Sequence, residues 1–217
     1  MSKVDFILTN SSAVGVVARN TTNTHPSLRA TDCTFGNTVS SDGIGIQTAV
    51  GSGLGNDFFL TNCYFSCDTG IEFQQGDSHL YVENCIFRCN TVGIELETGT
   101  ALHNKQISIV NSAFIGCATG GVYVSRVTAT NLASHVSLAT CHFVSCAVGI
   151  EFAQSGTTSS SCEHWTILGN TFTDCTRGIR GVSGATGGPR YSTVIGNTFD
   201  GTSAGLEIIN MTDATAN

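Results

Sequence analysis

Residues 80–97 read LYVENCIFRCNTVGIELE, and residues 58–74, FFLTNCYFSCDTGIEFQ, carry the same pattern one step earlier. Both segments begin with alternating apolar residues, continue through Asn, Cys and Phe, and end in Gly-Ile, a glutamate and another apolar residue. Further copies read VSLATCHFVSCAVGIEFA (136–153), WTILGNTFTDCTRGIRGV (165–182) and STVIGNTFDGTSAGLEII (192–209), and a partial copy, SSAVGVVAR, ends at Arg19. The chain is therefore built from an internal repeat, which is the strongest fold signal in a sequence.

One phenylalanine marks each unit, and successive markers are 22 to 30 residues apart. The markers are Phe35, Phe65, Phe87, Phe114, Phe143, Phe172 and Phe199. Each unit contains three short stretches in which apolar and other residues alternate, and alternation over so few residues predicts half-buried strands. The sequence thus predicts an all-β solenoid of about seven to eight coils, with three strands in each coil.

A single corner residue separates the first and second stretches of each unit. These corner residues are Asp32, Asn62, Asn84, Asn111, Thr140, Gly169 and Gly196. Asn, Asp and Gly tolerate a left-handed backbone, so six of the seven positions fit a sharp left-handed corner. Thr140 is the exception to this expectation.

Composition excludes several classes of protein. Only 12% of the 217 residues are charged, the net charge is −7, and the few Lys and Arg residues are scattered, so we expect no nucleic-acid partner. No apolar run approaches the roughly 18 residues of a membrane span. Residues 1–5 lack the start of a signal peptide.

The ten cysteines fall mainly into two columns when the coils are stacked. One column reads Cys33, Cys63, Cys85, Ser112, Cys141, Asn170, Asn197, and the other reads Cys67, Cys89, Cys117, Cys146, Cys175, Thr202. Small buried groups stacked on themselves explain these columns, since Cys behaves as a small hydrophobe. We expect free thiols, no metal site and no cofactor, and folding in a reducing cytosol.

The pattern Asn-x-Phe-x-x-Cys-x-x-Gly-Ile resembles the repeat of right-handed parallel β-helices, the pectin-lyase-like superfamily, which includes phage tailspikes and many polysaccharide lyases and hydrolases. The resemblance covers nearly the whole chain. It implies a single-stranded right-handed parallel β-helix that occupies residues 1–217 as one domain, which we expect to be a segment of a longer protein. It also implies that the outward face of the Gly-Ile-x-Phe strands carries a glycan groove.

Two outward columns lie on that face in the predicted stacking. One reads Val17, Gly45, Glu72, Glu95, Tyr123, Glu151, Arg180, Glu207, and its neighbour reads Arg19, Gln47, Gln74, Glu97, Ser125, Ala153, Val182, Ile209. Carboxylates that share a small area supply the acid and base of glycosidases, so Glu72, Glu95 and Glu97 are candidate catalytic residues. The candidate sugar-binding residues are Gln47, Gln74, Tyr123, Glu151 and Arg180. A merely solubilising stripe explains the same columns equally well.

Three functions follow as hypotheses. The first is a glycan-binding module of a phage or viral tailspike or fibre, located in the virion, whose partner is a polysaccharide or cell-surface glycan. The second is a free-standing polysaccharide lyase or hydrolase, and the third is a structural spacer without ligand. We also expect a homotrimer, because Val110, Ala139, Leu168 and Ile195 form an apolar stripe if they point outward.

Overall fold

The computed structural model describes residues 4–8, 14–19, 27–37, 43–49, 57–73, 79–97, 106–126, 134–153, 163–182, 191–208 and 215–216. Within these ranges the chain forms 24 strands and no helix. The strands make three parallel sheets of eight strands each. Strands β1 to β24 are numbered along the chain.

Sheet 1 is built from the first stretch of each repeat: β3 (Ser27–Thr31), β6 (Asp57–Thr61), β9 (His79–Glu83), β12 (Gln106–Val110), β15 (Ser134–Ala139), β18 (Glu163–Leu168), β21 (Thr193–Ile195) and β24 (Thr215–Ala216). Sheet 2 carries the marker phenylalanines: β1 (Val4–Leu8), β4 (Cys33–Asn37), β7 (Tyr64–Ser66), β10 (Ile86–Phe87), β13 (Ala113–Ile115), β16 (His142–Val144), β19 (Thr171–Thr173) and β22 (Thr198–Asp200). Sheet 3 carries Gly-Ile: β2 (Val14–Arg19), β5 (Ile44–Ala49), β8 (Thr69–Phe73), β11 (Val92–Glu97), β14 (Gly120–Arg126), β17 (Val148–Ala153), β20 (Arg177–Val182) and β23 (Ala204–Ile208).

Each strand pairs with the equivalent strand of the next coil, so neighbours in a sheet are three elements apart in sequence. The marker residues are in register: Phe87, for example, pairs with Phe65 on one side and with Phe114 on the other. Equivalent residues therefore form continuous columns along the axis. The predicted all-β parallel solenoid is confirmed.

The marker phenylalanines form one continuous stack in the interior. Ring centroids from Phe35 to Phe199 are 4.6 to 5.0 Å apart, and neighbouring rings are within 14° of parallel. The spacing matches that of neighbouring strands, so each coil adds one ring to the stack. The rings from Phe35 to Phe172 are fully buried.

The glycine of Gly-Ile has a packing role that alternation alone does not reveal. A Cβ placed on Gly93 would lie 2.5 Å from Cδ1 of Phe114 and 2.5 Å from the backbone oxygen of Gly121. The equivalent glycines from Gly45 to Gly178 meet a phenylalanine ring and a glycine carbonyl in the same way. The phenylalanine stack therefore requires a glycine column beside it.

All seven predicted corner residues have a left-handed backbone, with φ between 49° and 65°. Asp32, Asn62, Asn84, Asn111, Gly169 and Gly196 fit the expectation. Thr140, whose residue type does not favour this conformation, adopts it as well, with a φ of 54°. Its hydroxyl donates to Oδ1 of Asn111, the corner residue of the preceding coil, and its N–H donates to the carbonyl of Leu168 in the next coil.

Nine cysteines are free and buried, as predicted, whereas Cys162 lies outside the described residues. The columns also form hydrogen bonds. Ser112 Oγ accepts from the N–H of Cys85 at 3.1 Å and donates to the carbonyl of Val110 at 3.0 Å. Cys85 Sγ makes the equivalent contacts with the N–H of Cys63 and the carbonyl of Glu83. Ser112 can therefore replace Cys in this column because each is a small group that both accepts and donates.

The predicted stripe on sheet 1 does point outward. Val110 and Ala139 are half-buried, while Leu168 and Ile195 are 46% and 38% exposed. The alternation of β18 explains this orientation, because Trp165 and Ile167 on the same strand are buried in the core.

Candidate functional site

The outward face of sheet 3 carries one continuous row of side chains. The row reads Val17, Gln47, Glu72, Glu95, Tyr123, Glu151, Arg180 and Glu207, and each member pairs with the next across neighbouring strands. Seven of the eight residues match the first predicted column: Val17, Glu72, Glu95, Tyr123, Glu151, Arg180 and Glu207.

Gln47, rather than Gly45, is the member of this row on β5. The repeat pattern predicts that Gly45 aligns with Glu72 and Gln47 with Gln74, and this register is wrong. Residues 43–46 read Gly-Ile-Gly-Ile, so alternation alone fits two registers. The structure uses the second pair because a Cβ on residue 45 would lie 2.9 Å from the ring of Phe65.

The centre of the row is an amide beside two carboxylates and a phenol. Gln47 Nε2 donates to Glu72 Oε2 at 2.9 Å. Glu72 and Glu95 lie side by side on β8 and β11, at a Cα spacing of about 4.8 Å. Tyr123 follows on β14, and all four side chains are half-buried. A sugar hydroxyl can therefore donate to a carboxylate here and accept from the amide or the phenol.

Tyr123 is a hydrogen-bond donor in this environment. Burial raises the pKa of its phenol, and the nearby Glu151 and Glu95 carboxylates raise it further. The phenol is consequently protonated at neutral pH, and its aromatic ring lies between the two halves of the row.

Glu97 and Gln74 are the other two candidate residues that were predicted in the neighbouring column. Glu97 ends β11 after a register shift and pairs with Arg126, not with Ser125 as predicted. Such a bulge locally redirects the chain and is common beside functional sites. Gln74 lies outside the described residues.

Glu151 and Arg180 belong to an ion-pair network at the other end of the row. Arg180 Nη1 donates to Glu151 Oε1 at 3.2 Å, and Arg177 Nε donates to Glu207 Oε2 at 2.6 Å. Arg180 Nε lies 3.9 Å from the same Glu207 oxygen. Burial raises the pKa of Glu151, which is only 8% exposed, while Arg180 and Arg177 oppose this effect.

Arg177 is the residue of this network that the repeat pattern does not predict. It begins β20 three residues before Arg180, a spacing that period-two alternation assigns to the opposite face. Its side chain nevertheless reaches Glu207 on the outward row. The part of the row from Glu151 to Glu207 therefore consists of paired charges. The part from Gln47 to Tyr123 combines an amide, two carboxylates and a phenol, and it is the better candidate for a ligand.

Within the described ranges, no group of three or more His, Cys, Asp or Glu side chains is arranged to hold a metal ion. The same part of the chain contains no helix that is long and apolar enough to cross a membrane.

Comparison with known proteins places this geometry in a family. The family model for the right handed beta helix region matches residues 4–163, which is most of the chain and includes the strands from β1 through β17. No curated protein and no solved structure gives a match. The parallel coils, the phenylalanine stack and the family match agree, and the chain belongs to the right-handed β-helix family.

Proposed function

We propose that the chain is a glycan-binding β-helix module of a tailspike- or fibre-like protein from a phage or virus, and that its glycan lies on the outward face of sheet 3. The observation that carries the proposal is the row Gln47, Glu72, Glu95 and Tyr123, four polar side chains in register on adjacent strands. Few residues of this chain are charged, so two half-buried glutamates on neighbouring strands are an unusual local concentration of charge.

The row suits a sugar chain that runs along the solenoid axis. Glutamate and glutamine oxygens accept hydrogen bonds from sugar hydroxyls, the Gln47 amide and the Tyr123 hydroxyl donate, and the tyrosine ring offers an apolar face for the C–H side of a pyranose. The paired charges from Glu151 to Glu207 close one end of the surface.

A polysaccharide hydrolase or lyase is the second candidate, and the Glu72–Glu95 pair favours it. Two carboxyl groups side by side on neighbouring strands are the pair of groups that glycosidases use as acid and as base or nucleophile. Cα spacings of about 5 Å between coils and about 7 Å along a strand are compatible with either stereochemical outcome.

Glu95→Gln tests both candidates. The substitution preserves the shape of the side chain and removes its charge, so we expect glycan affinity to fall at least tenfold, and any hydrolysis to fall at least a hundredfold. A glycan array and a reducing-sugar assay measure the two effects. Binding without release of reducing ends assigns a binding module, and release of reducing ends assigns the enzyme.

Asp200→Asn is the matched control, because Asp200 is an exposed acid on sheet 2. We expect it to behave as wild type in both assays. If Glu95→Gln also binds and cleaves as wild type does, the row on sheet 3 is not the site. If the wild type engages no glycan, the spacer hypothesis replaces both candidates.

We further propose that the module assembles as a homotrimer in the virion, after folding in a reducing cytosol where its buried thiols stay reduced. The apolar stripe Val110, Ala139, Leu168 and Ile195 on sheet 1 is the proposed contact between subunits. Leu168 and Ile195, on neighbouring strands of the stripe, are exposed, and a contiguous apolar patch is typical of an interface.

Leu168→Asp is expected to convert the trimer into a soluble, folded monomer, because a carboxylate in the centre of an apolar contact has no partner. Sedimentation equilibrium measures the mass. Thr166→Asp is the control, since Thr166 is exposed on the same strand but lies outside the stripe. A wild-type protein that sediments as a monomer contradicts the proposal.

A further inference from the structure

A second outward surface, on sheet 1, carries an aromatic stack that the candidate site does not use. Arg29, Phe59 and Tyr81 lie in register on β3, β6 and β9. The guanidinium carbon of Arg29 is 4.3 Å from the centroid of the Phe59 ring, and the rings of Phe59 and Tyr81 are 4.9 Å apart and 2° from parallel. Both faces of the Phe59 ring are therefore covered, and so is one face of Tyr81.

The stack ends abruptly at Tyr81. The next residues of the same column are Ser108 and Ser137, which pair in register with Tyr81 and with each other. Both serines are half-buried, and Tyr81 is 37% exposed. Strands repeat about every 4.8 Å, so Ser108 and Ser137 form a shallow surface about 10 Å long, the floor, beside the second face of the Tyr81 ring, the wall. The wall and the floor together are called the step.

This step differs from an ordinary exposed aromatic residue because polar groups border it. Gln106, on the same strand as Ser108, is exposed on one side, and Glu83, on the strand of Tyr81, is exposed on the other. His79 pairs in register with Gln106 and contacts Asp57 Oδ1 at 2.7 Å, which holds the imidazole beside the tyrosine. The surface thus joins a flat apolar wall to a floor of hydroxyl groups, with an amide and a carboxylate at its edges.

We propose that this step is a second saccharide site and takes a single pyranose ring. The sugar stacks its C–H face on Tyr81, in the position that the next ring of the ladder would occupy, and directs its equatorial hydroxyls to Ser108, Gln106 and Glu83. The fold itself demonstrates the spacing, because the interior phenylalanines stack at 4.6 to 5.0 Å on successive coils. Arg29 supports the wall from behind by a cation–π contact with Phe59.

The inference shares with the proposed function only the class of ligand, since it concerns a different sheet. One aromatic face and a few hydrogen bonds predict a dissociation constant of about 1 mM, typical of a subsite that works by being repeated in an oligomer or along a long glycan.

Saturation-transfer NMR with the methyl pyranosides of glucose, galactose, mannose and N-acetylglucosamine tests the site. We expect at least one of them to receive saturation at its ring C–H protons. Tyr81→Ala removes the aromatic ring on which the sugar stacks and should lower the affinity for that sugar at least tenfold. Ser108→Phe should have the same effect for a different reason, because the new ring continues the ladder and covers Tyr81 while the thermal unfolding midpoint stays equal or rises.

Tyr191→Ala is the matched control: Tyr191 is 53% exposed and stacks on His164, but it lies beyond the serine floor. We expect it to bind as wild type does. Absence of saturation in all four sugars, or unchanged binding by both Tyr81→Ala and Ser108→Phe, overturns the inference. Loss of binding only in Glu95→Gln assigns the sugar to sheet 3, which overturns this site and leaves the proposed function standing.

Discussion

Gly93→Ala is expected to destabilise the protein by about 3 kcal/mol or more, although it adds a single methyl group. The new Cβ would lie 2.5 Å from Phe114 Cδ1 and 2.5 Å from the Gly121 oxygen. One of these atoms belongs to a ring held in the interior stack, and the other belongs to the backbone of the next coil. Neither can move without separating two coils.

Urea unfolding followed by circular dichroism measures the loss. Gly36→Ala is the control, because a Cβ on Gly36 meets Ser66 at 3.4 and 3.6 Å, close to ordinary contact distances. We expect its free energy of unfolding to stay within about 0.5 kcal/mol of wild type. Equal effects of the two substitutions would show that the glycine column has no special packing role.

Asn170→Ala is expected to lower the free energy of unfolding by about 3 kcal/mol, a loss that hydrogen bonds dominate. Asn170 is 1% exposed. Its Oδ1 accepts from the N–H of Cys141 at 2.9 Å, and its Nδ2 donates to the carbonyl of Leu138 at 3.1 Å. Alanine fills neither role and leaves a cavity.

Asn170→Ser should lose about half as much, because a serine performs the equivalent role at position 112, where it accepts from the N–H of Cys85 at 3.1 Å. Chemical denaturation of wild type and the two variants gives the comparison. If serine and alanine destabilise equally, the column is a matter of volume alone and the hydrogen-bonding explanation of its Cys, Ser and Asn residues is wrong.

The sequence predicts the strand assignments well because each strand repeats with its own signature. The phenylalanine of sheet 2 and the Gly-Ile of sheet 3 recur often enough to define register between coils, and the columns from Glu72 to Glu207 follow from that register. Register fails at Gln47, where a doubled Gly-Ile allows two alignments of the same parity. The choice depends on a ring in the neighbouring coil, which no local pattern contains.

Other features depend on contacts between side chains that are distant in sequence. Thr140 adopts a left-handed backbone against its intrinsic preference at the position where the other coils carry Asp, Asn or Gly, and its hydroxyl donates to Asn111 in the preceding coil. Arg180 faces outward as predicted, but its pairing with Glu151 makes it part of a charge network instead of an open sugar-binding group. Propensity and periodicity describe single residues, and these outcomes are decided by pairs.

The in-register columns have a consequence for how the chain folds. Side-chain hydrogen bonds between coils join residues 22 to 33 positions apart, such as those from Cys63 to Cys85 and to Ala30, so each coil closes a loop of similar length wherever it lies. Assembly can then spread from any pair of coils to its neighbours, as in other solenoids, at an entropic expense per step that does not grow with the length of the chain. The folding error to which this mechanism is prone is pairing that is shifted by one whole coil, because Phe would still stack on Phe. Side chains that differ between coils remove that degeneracy: Arg180 finds Glu151 in the preceding coil and Glu207 in the following one, and a slipped chain would lose both.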